Sequence, residues 1–480
     1  MFSNTHAIIW LISFAALFAA IGIAFSARHP GSLEDYTVAR NSQTTSGTLL
    51  TLLATSLGAW ILFSPAQAAT WGGLAAVIGY AAGAMSPRFI MIPLGKRMRE
   101  VAPSGHTLTE FVSLRYGRTM YVLVLLIMLF YMVITLIAEV TAVAKLVALL
   151  APVPLWVTAC IVMVTTLLYT AYGGLRASIF TDKVQMAVIL PLLALLLYFG
   201  WHAVGGAATL MTTVQQNAPE LLRLDNSLGV KAGITFFVAI LLTGLFHQGN
   251  WQRVYSAKNS QTLVRGFLLG GLLAAPFIFV MGLFGLAYAG AKIEGDSSVA
   301  LFSILMPHIP AWFAVALIPL ALALVMSTAD TAISAVSSII TTDIKRVAPS
   351  FSAEKLLRIS RWSLLAISVP VVLSAAQGYS VLYLFLLADL FCSAAAFPVF
   401  YGLYNRRLTG TTATLATLSG LLAGLMYFPS PTGPMTTLLE SFLLAAVVPA
   451  VVTGLLHLLR RPMALYDFTQ LNHAIKNLDD

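Results

Sequence analysis

Charge is what this sequence has least of. Asp, Glu, Lys and Arg make up only 9% of its 480 residues, 59% are hydrophobic, and the mean hydropathy is +0.88. Soluble domains carry about 25% charged residues, so a soluble fold is excluded. Many apolar runs exceed the ~18 residues that mark a membrane-spanning helix, and the chain reads as an all-α polytopic membrane protein. Cysteine is nearly as scarce. Cys160 and Cys392 both lie within apolar segments without metal-ligand spacing, which argues against a disulfide framework and a cysteine metal site. No G-x-x-x-x-G-K-[ST] loop is present, so direct drive by ATP is not expected. No helical H-E-x-x-H or G-x-S-x-G occurs either, and the chain is not read as an enzyme. The net charge is +9, but the basic residues form no single patch, so nucleic acid is not an expected partner.

Those basic residues fall in alternate loops instead. Thirteen apolar spans are predicted, at roughly 6–26, 47–71, 74–95, 119–149, 154–173, 179–202, 230–250, 264–290, 311–341, 361–376, 380–404, 410–428 and 436–459. The first lacks the basic start and cleavage site of a signal peptide and is kept as a span. Alternate loops beginning with 27–46, together with the tail residues Arg460, Arg461 and Lys476, hold 22 of the 27 Lys and Arg residues. The excess of Lys and Arg on the cytoplasmic side of membrane proteins places the amino terminus outside and the carboxy terminus in the cytoplasm. The expected location is the cell (inner) membrane. No soluble domain is visible, and residues 1–480 read as one transmembrane domain. The loops 203–229 and 291–310 each have room for a short surface helix. In the loop 96–118, Thr107 and Glu110 have the spacing of a capping box.

The polar residues inside the spans carry the functional signal. The stretch Leu320–Thr342 begins as lipid-compatible sequence and then places Ser327, Thr328, Asp330, Thr331, Ser334, Ser337 and Ser338 close together. Ser327, Asp330, Thr331 and Ser334 follow the i, i+3, i+4, i+7 pattern of one helix face. Hydroxyls with a carboxylate are hard ligands suited to a hard cation, and a charge at membrane depth costs about 2.5 kcal/mol or more. The competing reading is a small-residue packing face. In 47–71, Thr55, Ser56, Gly58, Ser64, Pro65 and Gln67 interrupt the apolar run. Such a segment is either a discontinuous transport helix or a proline kink. Asp182 is a helix cap, an interface charge or a ligand. Glu139 and Asp389 lie mid-span and either pack, hydrogen-bonded, or face a solute cavity. His247, Gln248 and Asn250 end the seventh span, where a structural hydrogen-bonding role is the plain reading.

Three motifs, Y-G-G-L-R-A-S-I-F-T-D-K-V-Q at 172–185, N-W-Q-R-V-Y-S-A-K-N at 250–259 and M-S-T-A-D-T-A-I-S-A-V-S-S-I-I-T-T-D-I at 326–344, resemble the sodium:solute symporter family. The resemblance implies a LeuT-type fold: a leading helix (6–26), two five-helix inverted repeats (47–404), two trailing helices (410–459) and a tail (460–480). It implies a sodium site from the carbonyls of Ala54, Leu57 and Leu324 and the hydroxyls of Ser327 and Thr328. A second cation site in some members maps to Asp182, Ser327, Asp330 and Thr331, with Asp330 where a hydroxyl is expected. The solute site maps to Trp60, Ser64, Gln67, Thr135, Glu139, Thr243 and Phe246. Ile134 and Thr135 stand where the sialic acid carriers have an arginine, which disfavours that substrate.

The expected function is therefore sodium-coupled symport of a small polar organic solute by alternating access. An amino acid, a short carboxylate, urea or a similar amide fits the few polar groups available. The expected partners are Na⁺, the solute and the bilayer, with no obligatory protein partner. The alternatives are proton coupling, argued by Glu139, Asp330 and Asp389, and a solute sensor. A sensor is expected to carry a kinase or receiver sequence after Asp480.

Overall fold

Every regular element of the computed structural model is helical among the residues it describes, which are 3–29, 31–431, 433–459 and 465–479. Arg460 and Arg461 lie outside the described residues. The helices are α1 (Asn4–Arg28), α2 (Leu33–Thr37), α3 (Thr45–Ser56), α4 (Ser64–Val101), α5 (Leu108–Tyr116), α6 (Arg118–Leu150), α7 (Leu155–Ala203), α8 (Gly206–Asn217) and α9 (Ser227–Gly244). They continue with α10 (Gln248–Ser256), α11 (Ser260–Gly290), α12 (Ala300–Leu305), α13 (Ala311–Val347), α14 (Ala353–Ala375), α15 (Val381–Tyr401), α16 (Gly410–Leu425), α17 (Leu438–Leu459) and α18 (Thr469–Ala474). Among the described residues, ten helices are long and apolar enough to cross a membrane.

Two of them hold more than one sequence-predicted span. α4 joins 74–95 to the end of 47–71, bending at Gly73 (φ 65°). α7 joins 154–173 to 179–202, bending at Gly174 (φ 57°). A positive φ costs glycine little and other residues more, so the chain turns there without leaving helical hydrogen bonding for long. The short helices expected in loops 203–229 and 291–310 are α8 and α12. Thr107 caps α5 by accepting from the Glu110 N–H at 3.1 Å.

Burial sorts the helices into a centre and a rim. Every residue of α13 from Leu320 to Ile339 is buried. Its small Ser, Thr and Ala side chains let neighbours approach, as close helix packing in a membrane requires. α1 instead exposes Ile9, Trp10, Ile12 and Leu17, and α14 exposes Trp362, Leu365 and Val369. Large apolar side chains at the rim of a membrane-length bundle face lipid rather than water.

Two helices are broken near the centre. α3 stops at Ser56, Leu57 leaves helical geometry (φ −99°, ψ 71°), and Gly58 is extended. A 3₁₀ turn, Ala59–Leu62, then leads into α4. The second break, Leu245–His247, separates α9 from α10, within what the sequence reads as the inner end of one continuous span.

Candidate functional site

The first break sets up the site. Where α3 stops, its last carbonyls lose their partners in the next turn, and a helix end left unsatisfied needs other donors or a cation. The α13 hydroxyls face it. Ser327 Oγ lies 3.2 Å from the Ala54 carbonyl and 2.9 Å from that of Leu324, and Thr328 Oγ1 lies 3.1 Å from the Leu324 carbonyl. Four of the five groups expected at the sodium site are thus drawn together across two helices. The fifth residue, Leu57, is the one at which the helix ends. These are neutral hard oxygens, of the kind a small hard cation accepts.

A buried carboxyl group stands beside them. Glu139, fully buried on α6, accepts the Ala59 N–H through Oε2 at 2.7 Å. It thereby caps the start of the chain beyond the break. Its other oxygen, Oε1, has no hydrogen-bond partner among the described residues. A Cβ built on Gly58 would lie 2.2 Å from that oxygen and 2.7 Å from Thr328 Oγ1, so carboxylate and hydroxyl press on the same backbone position. Only a residue without a side chain lets the broken helix formed by α3 and the start of α4, termed helix 1, pass between them.

A cavity of about 770 Å³, including its opening to solvent, extends from this point. Of the residues expected at the solute site, Trp60, Thr135, Glu139 and Thr243 line it. Ser64, Gln67 and Phe246 do not. Gln67 accepts from Ser380 Oγ at 2.9 Å, and Phe246 packs against Phe400 with ring centres 5.4 Å apart. The wall also contains Tyr80, Arg88, Tyr131, His247, Phe385 and Asp389. Arg88 and Asp389 were visible in the sequence as charges within apolar segments. The aromatic residues were not, because Tyr and Phe in a span carry no signal of which way they face.

The residues expected at a second cation site divide. Asp182 pairs with Arg253 Nη2 at 3.0 Å, both side chains fully buried, and accepts from the Thr51 hydroxyl. Arg253 also donates to Thr51 and Thr331. A guanidinium therefore already compensates this carboxylate. Asp330 turns toward α7, where Tyr169 (2.7 Å), Ser178 (2.8 Å) and Thr181 (3.0 Å) donate to it. Ser327 belongs to the first site. Arg253 sits in the N-W-Q-R motif, but its reach into this network depends on how α10 approaches α3 and α7.

Family-level comparison matches this frame. The sequence pattern of the sodium:solute symporter family fits residues 36–423. The chain belongs to that family. It is therefore a multi-pass membrane transporter and not an enzyme. A spermidine transporter of Candida albicans is 26% identical over 438 residues, covering 89% of this chain and 81% of that one. A sodium/pantothenate symporter of Escherichia coli is 29% identical over 230 residues, 45% of this chain and 47% of the relative. A urea-proton symporter of Oryza sativa is 24% identical over 459 residues, 86% and 63% of the two chains. Among solved structures, a Na⁺-coupled sialic acid symporter superposes with a TM-score of 0.76 at 16% identity, covering 96% of this chain and 99% of its own. A nucleobase-cation-symport-1 transporter gives 0.55 at 14% identity, over 88% and 95%. These likenesses establish the LeuT-like transporter fold.

Outside the spans, a charged knot joins α2, the loop before α5 and the tail. His106, fully buried, has Nε2 2.8 Å from Glu34 and Nδ1 3.2 Å from Glu110. Burial pulls its pKa down, but hydrogen bonds and charge from the two carboxylates outweigh that and push it up to about 9. Arg40 pairs with Glu34 at 2.5 Å. The tail closes over the knot, with the Leu478 N–H 3.3 Å from Glu34 Oε2 and its side chain packed on Leu33 and Leu356.

Proposed function

We propose that this symporter-family chain couples the entry of sodium to uptake of a small polar organic solute. The observation that carries the reading is the Ser327 hydroxyl set between the carbonyls of Ala54 and Leu324 across the break in helix 1. A sodium ion taking those oxygens ties the α3 half of helix 1 to α13. Its release frees that half to move and opens the cavity to the other side. The ion site and the solute cavity adjoin at the same broken segment, with Thr328 on the wall of the cavity, so each ligand favours the conformation the other needs. The membrane potential supplies about 2.3 kcal/mol per charge per 100 mV, enough for roughly a fifty-fold solute gradient per sodium.

The topology is read to match. At 1.5 Å per residue, the 38 residues of α4 and the 49 of α7 give lengths of about 57 and 74 Å, too long for one crossing of a ~30 Å hydrocarbon core. Each is taken as two spans turning at its glycine, which supports thirteen crossings. The breaks after α3 and after α9 then open the two five-helix repeats of the core 47–404. The charge bias puts the amino terminus outside and the tail in the cytoplasm of an inner-membrane protein, one transmembrane domain throughout.

The test is uptake into proteoliposomes of labelled spermidine, urea and pantothenate, the solutes named for the relatives. An inward sodium gradient at fixed pH is expected to drive accumulation of at least one of them, and its replacement by potassium to abolish it. A second reading, proton coupling, draws support from Glu139 Oε1, which is buried without a hydrogen-bond partner among the described residues, and from the relative named a urea-proton symporter. Accumulation driven by a pH gradient without sodium favours that reading instead.

A further inference from the structure

The cavity wall carries acid and aromatic faces in an arrangement that the transport reading does not by itself explain. Asp389 lies mid-helix on α15, is 5% exposed, and lines the cavity. Thr243 Oγ1 and Ser393 Oγ reach its backbone carbonyl, at 3.4 and 2.8 Å. Neither Asp389 nor Glu139 forms an ion pair among the described residues, unlike Asp182 with Arg253. A carboxylate held at membrane depth without a cation is expensive, and its cost is met when a cation arrives. Around it stand rings. Trp60 stacks on Tyr80 with centres 5.8 Å apart and meets Phe385 edge-on at 6.1 Å. Tyr131 meets His247 edge-on at 5.8 Å. The faces of Trp and Tyr attract organic cations, most strongly where water is excluded.

Among the described residues Arg88 is the one guanidinium on this wall; it forms no ion pair, and its Nη groups are held by neutral oxygens. It donates to the Ala84 carbonyl at 2.8 Å and to Ser56 Oγ, bracing α4 against the end of α3. Glu139 is turned to the helix break and the Thr328 hydroxyl, so it serves the ion side of the site. That leaves Asp389, with Trp60, Tyr80, Tyr131 and Phe385 around the same space, as the carboxyl group on the solute side of the wall.

We propose that Asp389 and this aromatic wall form the recognition site for an organic ammonium, so that the carried solute is a small protonated amine. The inference rests on the transport reading for the role of the cavity. The carboxylate pairs with the ammonium, the rings take its methylene or methyl groups, and the pair replaces hydration that the solute sheds on entry.

The experiment is binding to the purified full-length chain in detergent, by calorimetric titration and thermal shift, with and without sodium. The probes are 1,4-diaminobutane and tetramethylammonium against butane-1,4-diol and succinate. The two cations are expected to bind and to raise the melting temperature, while the diol and the dicarboxylate leave it unchanged. Asp389→Asn, which keeps the shape but replaces one acceptor oxygen by an N–H donor and loses the charge, is expected to weaken cation binding at least tenfold and to keep the sodium-induced shift. Trp60→Leu is expected to weaken it severalfold, and serves if the Asp389 variant does not fold. Diol or succinate binding as tightly as the diamine, or an Asp389→Asn protein with unchanged cation affinity, overturns the proposal. If sodium alone never shifts the melting temperature, the sodium-coupled reading fails separately, because diamine binding to Asp389 requires no sodium.

Discussion

Gly58→Ala is a small change with a calculable consequence. The backbone there is extended, with φ −82° and ψ 175°, so alanine meets no backbone strain and the whole effect comes from its methyl. That methyl would lie 2.2 Å from Glu139 Oε1, 2.7 Å from Thr328 Oγ1 and 2.7 Å from Trp60 Cδ1, where ordinary contact begins near 3.4 Å. Something must move by about an ångström. One of the three atoms, Thr328 Oγ1, belongs to the proposed ion site and Glu139 Oε1 stands beside it, and overpacking of this kind costs about 1–3 kcal/mol. Charged against ion binding, that is roughly a 5- to 150-fold rise in the sodium concentration giving half-maximal uptake. The assay is sodium-dependent uptake at matched expression, with Glu139→Ala and the double mutant alongside. The double mutant is expected to lose less than the sum of the singles, since the nearest clashing group is gone. A Gly58→Ala transporter with unchanged sodium dependence refutes the placement of helix 1 between Glu139 and Thr328.

Other outcomes follow from the same contacts. Arg253→Ala is expected to destabilise the protein by about 3–5 kcal/mol by stranding Asp182, while the Arg253→Met/Asp182→Asn pair recovers most of that; melting temperatures of the three variants check it. Because His106 is raised to about 9 from 6.5, its protonated form stabilises the fold below about pH 6.5, and that contribution, about 3 kcal/mol, is lost as pH rises through 9. A melting-temperature profile between pH 6 and 10 is expected to fall in wild type and to flatten in His106→Gln. Deleting the segment from Thr469 removes Leu471, Ile475 and Leu478, all buried, and is expected to speed proteolysis of the α2 region around Leu33, read by limited digestion.

The bundle was legible because apolar length and alternating loop charge are summed over many residues, and such sums survive local error. The break at Gly58 was legible for a local reason: Gly58 weakens a helix interior, and Pro65 suits the first turn of a new helix, where it stands in α4. The break at Leu245–His247 has no proline, and G-L-F-H-Q-G reads as a helix end rather than an interruption, so it stayed hidden within one span. Ser327 and Thr328 announced themselves as hydroxyls on an apolar helix; the helical pattern grouped Ser327 with Asp330, Thr331 and Ser334, and only the family resemblance singled out Thr328 with it. Arg253 and Asp330 show where such reading stops. Both were visible residues, but their partners, Asp182 for one and Tyr169, Ser178 and Thr181 for the other, lie on helices far away in the chain. Local pattern says a charge needs company and does not say whose.

The central claim is that α13 and the broken helix hold the coupling ion, and Ser327→Ala with Thr328→Ala tests it most directly. Each substitution removes one oxygen from a set of about five, so part of the ion's hydration is no longer replaced. The half-saturating sodium concentration for solute uptake is expected to rise in both. Apparent solute affinity should fall mainly at low sodium and recover as sodium is raised, because the linkage is reciprocal. If the hydroxyls only pack helices, alanine is equally welcome there, and a half-saturating sodium concentration unchanged in both variants contradicts the account.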